Sequence, residues 1–160
     1  MTDTDEQNSL SLTSPAFTPG GDIPVQYSLR KGQNISPQLN ISEPPAGTLS
    51  FVLIMHDPDA VSGDFLHWLL WDIPPSTLSI GTNSVPVGAI QGQSGMGDAR
   101  YIGPAPPAGT GTHHYIFELY ALDILLNLPT SATRQEVVAA MSGHILDQTT
   151  LTGLFTTDPA

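Results

Sequence analysis

Two stretches of the chain carry the side chains best suited to binding or catalysis. They cover residues 55–74 and 101–123, and together they contain four of the five histidines and both tryptophans. Each stretch joins a polar, proline-containing loop to a long apolar segment, with histidine near the junction. Functional side chains are often placed where loops meet a rigid sheet. A small pocket formed by both stretches is therefore the expected site.

The pair Asp57 and Asp59 flanks a proline directly after the apolar segment 50–55. One interpretation is an Asx-turn, in which each carboxylate accepts hydrogen bonds from nearby backbone N–H groups. The other is functional: one carboxylate orients a histidine and the other contacts a ligand. The sequence leaves both open.

His67 lies inside the apolar run Phe65–Ile73. The alternation of a strand predicts that Phe65 and His67 share one face with Leu69, and that Trp68 lies on the other. A buried imidazole needs a hydrogen-bond partner, and one of the two preceding aspartates is the expected one. A histidine that is simply satisfied within the core is the alternative.

His113 and His114 begin a second apolar run. Alternation places His113 with Tyr115 on one face and His114 on the other, so one histidine should line a cavity while the other faces solvent or the opposite layer. The turn-rich loop before them contains Pro106 and Pro107. It is only weakly similar to a phosphate-cradling loop, because no Walker lysine follows it and no helix begins there.

Other chemistries find less support in the spacing of these residues. Aspartate and histidine can bind zinc or iron, but no H-x-x-x-H or HExxH spacing occurs. A serine hydrolase would need an elbow such as G-x-S-x-G, which is absent. We therefore predict no catalytic residue, metal or cofactor, and keep a metal-dependent or metal-free hydrolase that uses the same Asp/His pocket as the alternative.

The composition excludes several classes of partner. Only four residues are Lys or Arg against fifteen Asp or Glu, which gives a net charge of −11. This balance argues against nucleic acid, whose phosphates are bound mainly by Lys and Arg. The chain has no cysteine, no integral membrane segment and no basic and apolar leader, so a cytoplasmic protein is expected.

The elements that must position these side chains are mostly short strands. Strands are predicted at 25–29, 39–41, 50–55, 65–73, 87–90, 115–122 and 151–155, with 50–55 and 65–73 covered on both faces.

One helix is predicted after a capping box formed by Thr133 and Glu136. Val137, Met141 and Ile145 lie on one face of it, and His144 within it is a surface or C-terminal cap residue. The prediction is one all-β domain over residues 1–160, an antiparallel β-sandwich with a peripheral helix and a flexible tail at 1–9.

These motifs, taken in order, resemble the phosphatidylethanolamine-binding protein family, and most closely its bacterial and archaeal Raf kinase inhibitor-like branch. The matching segments are 34–37, 57–60, 65–68, 72–74, 101–104, 106–107 and 113–115. The resemblance covers about residues 10–155 and implies an antiparallel Greek-key β-sandwich with one or two peripheral helices and one pocket for a small anion. Asp59 is included because it belongs to the segment 57–60. The predicted ligand-binding residues are Asp57, Asp59, Phe65, His67, Pro107, His113 and Tyr115.

The resemblance implies a non-enzymatic protein that binds a small anion or a phosphorylated head group. Imidazole N–H and phenol O–H groups can donate to anion oxygens, and Asp57 could hold one imidazole in a donating tautomer. No Lys or Arg is predicted in the pocket, so affinity for phosphate should be modest. Regulation of a kinase or protease, and a homodimer, are implied by the resemblance alone. His114 stands where the family commonly has arginine.

Overall fold

The computed structural model describes residues 9–157, which form eight strands, one α-helix and one short 3-10 helix. The strands are β1 (Ser11–Thr13), β2 (Leu39–Ser42), β3 (Ser50–Asp57), β4 (Phe65–Ile73), β5 (Ser79–Ile80), β6 (Ile90–Gln91), β7 (Thr112–Leu122) and β8 (Ile145–Thr156). The helices are the 3-10 turn Val25–Tyr27 and α1 (Arg134–Met141).

The strands form two sheets in which every pairing is antiparallel. The larger sheet has the order β6-β4-β3-β7-β8 and the smaller has the order β1-β2-β5. The connection from β6 to β7 passes from the edge of the larger sheet to the far side of β3, as in a Greek key. The predicted antiparallel β-sandwich is confirmed.

Two apolar cores cover the two faces of the larger sheet. The sandwich core lies between the sheets and includes Leu39 and Ile41 of the smaller sheet with Leu53 and Phe117 of the larger. The outer core lies under α1 and joins a separate set of residues, which includes Val52, Ile54, Leu69, Trp71, Val137 and Met141. All eight residues of β3 are buried, so the prediction that 50–55 and 65–73 are covered on both faces is confirmed.

The helix begins where the sequence predicts and ends earlier. The Thr133 hydroxyl accepts from the Glu136 N–H, and the Glu136 carboxylate accepts from the Thr133 N–H. The predicted extension to Ile145 is wrong, because Gly143 adopts φ +83° and ends the helical path. His144 therefore lies after the helix, where its ring bonds to an Asp123 carboxylate oxygen at 2.9 Å.

Three strand predictions need correction. The segment 25–29 is a 3-10 turn and bends, because it closes on itself through a bond from the Gln33 N–H to the Gln26 carbonyl at 2.9 Å. In the region 87–90, only Ile90 belongs to a strand. The strand predicted at 151–155 is longer than predicted, because β8 begins at Ile145 and pairs along the whole length of β7.

The alternation predicted for β4 is broken at His67. Met55 pairs with Trp68 and His56 pairs with Leu66, so His67 is an extra residue without a partner in β3. Such a bulge re-aims the neighbouring side chains. As a result, Trp68 faces the sandwich core and Leu69 faces the outer core, which reverses the predicted faces of both.

The predicted tail at 1–9 lies outside the described residues except for Ser9. The single-domain organisation over residues 1–160 stays a prediction.

Candidate functional site

A cavity of about 410 Å³ opens at one end of the larger sheet, and we call it the main cavity. Strand β3 ends there and β4 and β7 begin there, because neighbouring antiparallel strands bring opposite ends together. Six of the seven residues predicted to bind a ligand line it: Asp57, Phe65, His67, Pro107, His113 and Tyr115.

The buried carboxylate of Asp57 serves two purposes. Its Oδ2 lies 2.7 Å from Nδ1 of His113, and its Oδ1 accepts from the Asp59 N–H at 2.8 Å. Asp57 therefore forms the Asx-turn and also orients a histidine, whereas contact of the other carboxylate with a ligand stays a prediction.

The second ring nitrogen of His113 contacts a hydroxyl. Nε2 lies 3.0 Å from Oγ1 of Thr110, and that hydroxyl donates to the Pro107 carbonyl at 2.6 Å. A threonine hydroxyl has one proton, so Thr110 accepts from His113 when it donates to Pro107. Nδ1 of His113 donates to the Asp57 carboxylate, and Nε2 contacts a hydroxyl that is able to accept or to donate.

His67 has a backbone partner rather than the predicted aspartate. Its Nδ1 lies 2.6 Å from the Ile102 carbonyl, which can only accept, so Nδ1 carries a proton. The prediction that Asp57 or Asp59 pairs with His67 is wrong, because Asp57 is bonded to His113 and Asp59 is bonded to His114. Burial lowers the pKa of His67, so the ring is neutral near pH 7 and its Nε2 is left as an acceptor for the cavity.

Tyr115 contributes a donor that has no acceptor. Its hydroxyl is buried and makes no hydrogen bond to any of residues 9–157. Burial raises the pKa of Tyr115, and the nearby Asp57 carboxylate raises it further, so the hydroxyl keeps its proton. An orphaned buried donor in a cavity wall is costly unless a ligand or water satisfies it.

Aromatic packing fixes the orientation of these rings. His67 lies edge-on to Phe65 at a centroid distance of 4.9 Å and edge-on to Tyr115 at 5.2 Å. The rings of His113 and Tyr115 are nearly parallel at 6.4 Å. The four side chains form one packed row, so the polar atoms that face the cavity are preorganised.

Asp59 is the one predicted residue that does not line the cavity. Its Oδ2 accepts from the backbone N–H of His114 at 2.8 Å and lies 2.7 Å from Nδ1 of that ring. These bonds lower the pKa of Asp59. The alternation predicted for β7 is correct, because His113 lines the cavity and His114 faces outward. The pair of Asp59 with His114 therefore lies on the outer surface.

Arg30 is a cavity residue that the sequence did not reveal. Its exposed side chain lies at the mouth of the main cavity, which corrects the expectation that no Lys or Arg is present there. The Leu29 N–H donates to the Pro104 carbonyl at 3.0 Å and so brings this loop to the site. No local pattern predicts a contact between segments that lie so far apart in the sequence.

A second polar cluster lies on the outer side of the larger sheet. His56 is 8% exposed and has a carboxylate at each ring nitrogen, Asp64 at 2.7 Å and Glu118 at 3.2 Å. Tyr120 donates to Glu118, and Arg134 of α1 donates to Asp64. The hydrogen bond to Glu118 raises the pKa of His56 most strongly, although burial opposes it.

Two further properties limit the chemistry of the described part of the chain. Among residues 9–157, no three His, Cys, Asp or Glu side chains are grouped so that they could hold a metal ion. No helix in the same range is long and apolar enough to cross a membrane.

Comparison with known sequences supports one family. Residues 13–156 match the family model described as phosphatidylethanolamine-binding protein. A Mycobacterium tuberculosis protein named as a lipoprotein is 42% identical over 146 residues, which is 91% of this chain and 72% of that protein. The UPF0098 protein of Methanothermobacter thermautotrophicus is 39% identical over 151 residues, which is 91% of this chain and 98% of that protein.

Solved structures give the same result. A phosphatidylethanolamine-binding protein homologue from Chlamydia trachomatis is 35% identical with a TM-score of 0.88, over 94% of this chain and 99% of that one. Escherichia coli YbcL, described as a member of the mammalian family, is 25% identical with a TM-score of 0.87, over 93% of this chain and 99% of that one. The chain therefore belongs to the phosphatidylethanolamine-binding protein family.

Proposed function

We propose that this protein is a non-enzymatic binding protein for a small anion, such as phosphate or a phosphorylated head group, held in the main cavity. The observation that carries the proposal is the buried Tyr115 hydroxyl, a protonated donor without an acceptor, in the same wall as the free Nε2 of His67. An anion oxygen would satisfy that donor.

The histidines complete the site for an anion. His67 is neutral in the empty cavity, and a bound anion favours its protonation, after which Nε2 donates a charge-assisted hydrogen bond. Asp57 would repel an anion if it stood alone, but its Oδ2 is hydrogen-bonded to Nδ1 of His113 at 2.7 Å. Arg30 at the mouth adds a permanent positive charge, so phosphate should bind more tightly than the sequence alone suggests.

The hydrolase alternative is disfavoured by the bonding of His113. Asp57, His113 and Thr110 are arranged in the order of a catalytic triad. However, the Thr110 hydroxyl also lies 2.6 Å from the Pro107 carbonyl oxygen, which competes with Nε2 of His113 for its single proton. We expect no burst and no turnover with p-nitrophenyl acetate beyond the rate of a Thr110→Val variant.

The remaining functional expectations rest on family resemblance. Regulation of a kinase or protease, a homodimer and a cytoplasmic location stay predictions. Retention of a kinase or protease from host lysate would support the first of them.

Isothermal calorimetry with inorganic phosphate tests the proposal. Wild-type protein should bind saturably, and His67→Ala should lose binding while costing about 1–3 kcal/mol of stability, because the Ile102 carbonyl loses its donor. His144→Ala removes a histidine from the surface near α1 and should leave binding unchanged. If the double variant His67→Ala, His113→Ala still binds phosphate, the site is assigned wrongly.

A further inference from the structure

We propose that the site binds molecules with two anionic groups, because Arg30 and Lys31 form a second, positively charged subsite beside the main cavity. This inference rests on the proposed function, since the first anionic group is the one held in the main cavity.

The distribution of positive charge supports this subsite. Only four residues of the chain are Lys or Arg, against a net charge of −11. Arg100 is paired with Asp98 at 2.6 Å and Arg134 is paired with Asp64. Within residues 9–157, Arg30 and Lys31 make no ion pair, and both are exposed. The two cations that remain available to a ligand are thus adjacent in the sequence, and Arg30 lines the main cavity.

A second cavity of about 210 Å³ is lined by both side chains, and we call it the side cavity. It shares Arg30, Ala105 and Pro106 with the main cavity, whereas Lys31 does not line the main cavity. Lys31 also lines a third cavity of about 320 Å³, in which Asp22 is present. The main cavity and the side cavity therefore adjoin at Arg30 and at residues 105–106.

The loop that carries the two cations is held by hydrogen bonds against the proline-rich loop, which comprises residues 101–107. The Asn34 side-chain amide donates to the Tyr101 carbonyl at 3.1 Å and accepts from the Gly103 N–H at 2.6 Å. Asn34 itself has φ +53°, a conformation that asparagine tolerates better than most residues.

Close backbone contact at Gly103 brings the same two segments together. A Cβ there would lie 2.0 Å from the Tyr27 carbonyl oxygen. The cations are thus presented from a fixed loop, which lowers the entropic cost of binding a second anionic group.

The size of the main cavity points to an organic anion. At about 410 Å³ it is within the range of pockets for small organic molecules and exceeds what one phosphate fills. Its walls include the apolar side chains of Val61, Phe65 and Met96. The ligand class that fits both cavities is a small organic phosphate that carries a carboxylate or a second phosphate on a short linker.

A matched pair of probes tests the inference by calorimetry. Glycerol 3-phosphate and 3-phosphoglycerate share a phosphate and a three-carbon skeleton, but only the second has a carboxylate. Wild-type protein should bind 3-phosphoglycerate roughly three- to tenfold more tightly at low salt, and added salt should reduce the preference. Lys31→Gln should remove most of the preference while leaving glycerol 3-phosphate binding nearly unchanged.

The control variant is Arg100→Gln, which makes the same change of charge away from both cavities and should keep the preference. Equal affinity of wild-type protein for the two probes, or a full preference in Lys31→Gln, would overturn the second subsite while the anion site stands. Failure of both probes and of inorganic phosphate to bind would overturn the proposed function, and the subsite with it.

Discussion

Nδ1 of His113 lies 2.7 Å from Oδ2 of Asp57, and the two side chains are 2% and 4% exposed. The pair joins the end of β3 to the beginning of β7. Burial of polar groups is costly unless they are hydrogen-bonded, so each side chain depends on the other to remain there. Both line the main cavity, and their bond occupies a carboxylate oxygen that would otherwise face an incoming anion.

Removal of Asp57 should therefore be far more costly than removal of its neighbour. Asp57→Ala leaves Nδ1–H of His113 and the Asp59 N–H without their acceptor, and the free energy of unfolding should fall by about 1–3 kcal/mol for each. Asp59→Ala removes an exposed pair with His114 and should cost about 1 kcal/mol or less. Urea denaturation of both variants measures the difference, and equal costs would contradict the buried hydrogen-bonded pair.

The His56 cluster predicts a pH dependence of stability. The pKa of His56 is raised, so its contribution is fully present below its ordinary pKa of 6.5 and is lost as the pH rises through the folded value. The pKa values of Asp64 and Glu118 are lowered, so their contributions are present above 3.8 and 4.5 and are lost at lower pH. The cluster should stabilise the fold most between about pH 4.5 and 6.5.

A comparison with His56→Gln isolates this effect. The stability difference between wild type and the variant should be larger at pH 6 than at pH 9. His67 acts in the opposite direction, because its lowered pKa makes the folded state lose stability as the pH falls, but it is common to both proteins and cancels. His144→Gln serves as the control. A difference that does not change with pH would mean that His56 is not charged in the cluster.

Gly103 should be intolerant of even a methyl group. In Gly103→Ala the new Cβ would lie 2.0 Å from the Tyr27 carbonyl oxygen, so the cation-bearing loop and the proline-rich loop must separate. We expect a loss of about 1–3 kcal/mol and faster amide exchange at Leu29. At Gly81 the nearest atom to an added Cβ is 3.8 Å away, so Gly81→Ala should be tolerated. Similar melting curves for the two variants would refute the close contact.

Anion binding should take up a proton. Because the pKa of His67 is lowered in the empty cavity, an anion that favours the charged ring must raise it. Sulfate does not titrate in this range, so its affinity should increase as the pH falls from 8 to 6. Calorimetry in two buffers of different ionisation enthalpy measures the uptake directly. Sulfate binding that is independent of pH would show that His67 does not change its protonation state.

Local sequence patterns predicted those elements whose cause is local. The bounds of β4 follow from an uninterrupted apolar run, and the start of α1 follows from the Thr133 and Glu136 capping box. The end of α1 differs from the prediction because the left-handed backbone at Gly143 overrides the apolar spacing of Val137, Met141 and Ile145.

Features set by long-range contacts were not predictable in this way. The bulge at His67 depends on the register between β3 and β4, which alternation within β4 cannot reveal. The position of Arg30 depends on a loop that folds onto Pro104. Asp57 and Asp59 have the same chemistry in the sequence, but only the first is turned toward the cavity, where His113 meets it.

The most direct test of the anion site is a titration with inorganic phosphate followed by the ¹⁵N resonances of the histidine rings. The account predicts saturable shifts at Nε2 of His67, with a change toward the protonated form, and smaller shifts at His113. His144 should not respond. Rings of His67 and His113 that remain unchanged at saturating phosphate would contradict the account, whatever the protein binds elsewhere.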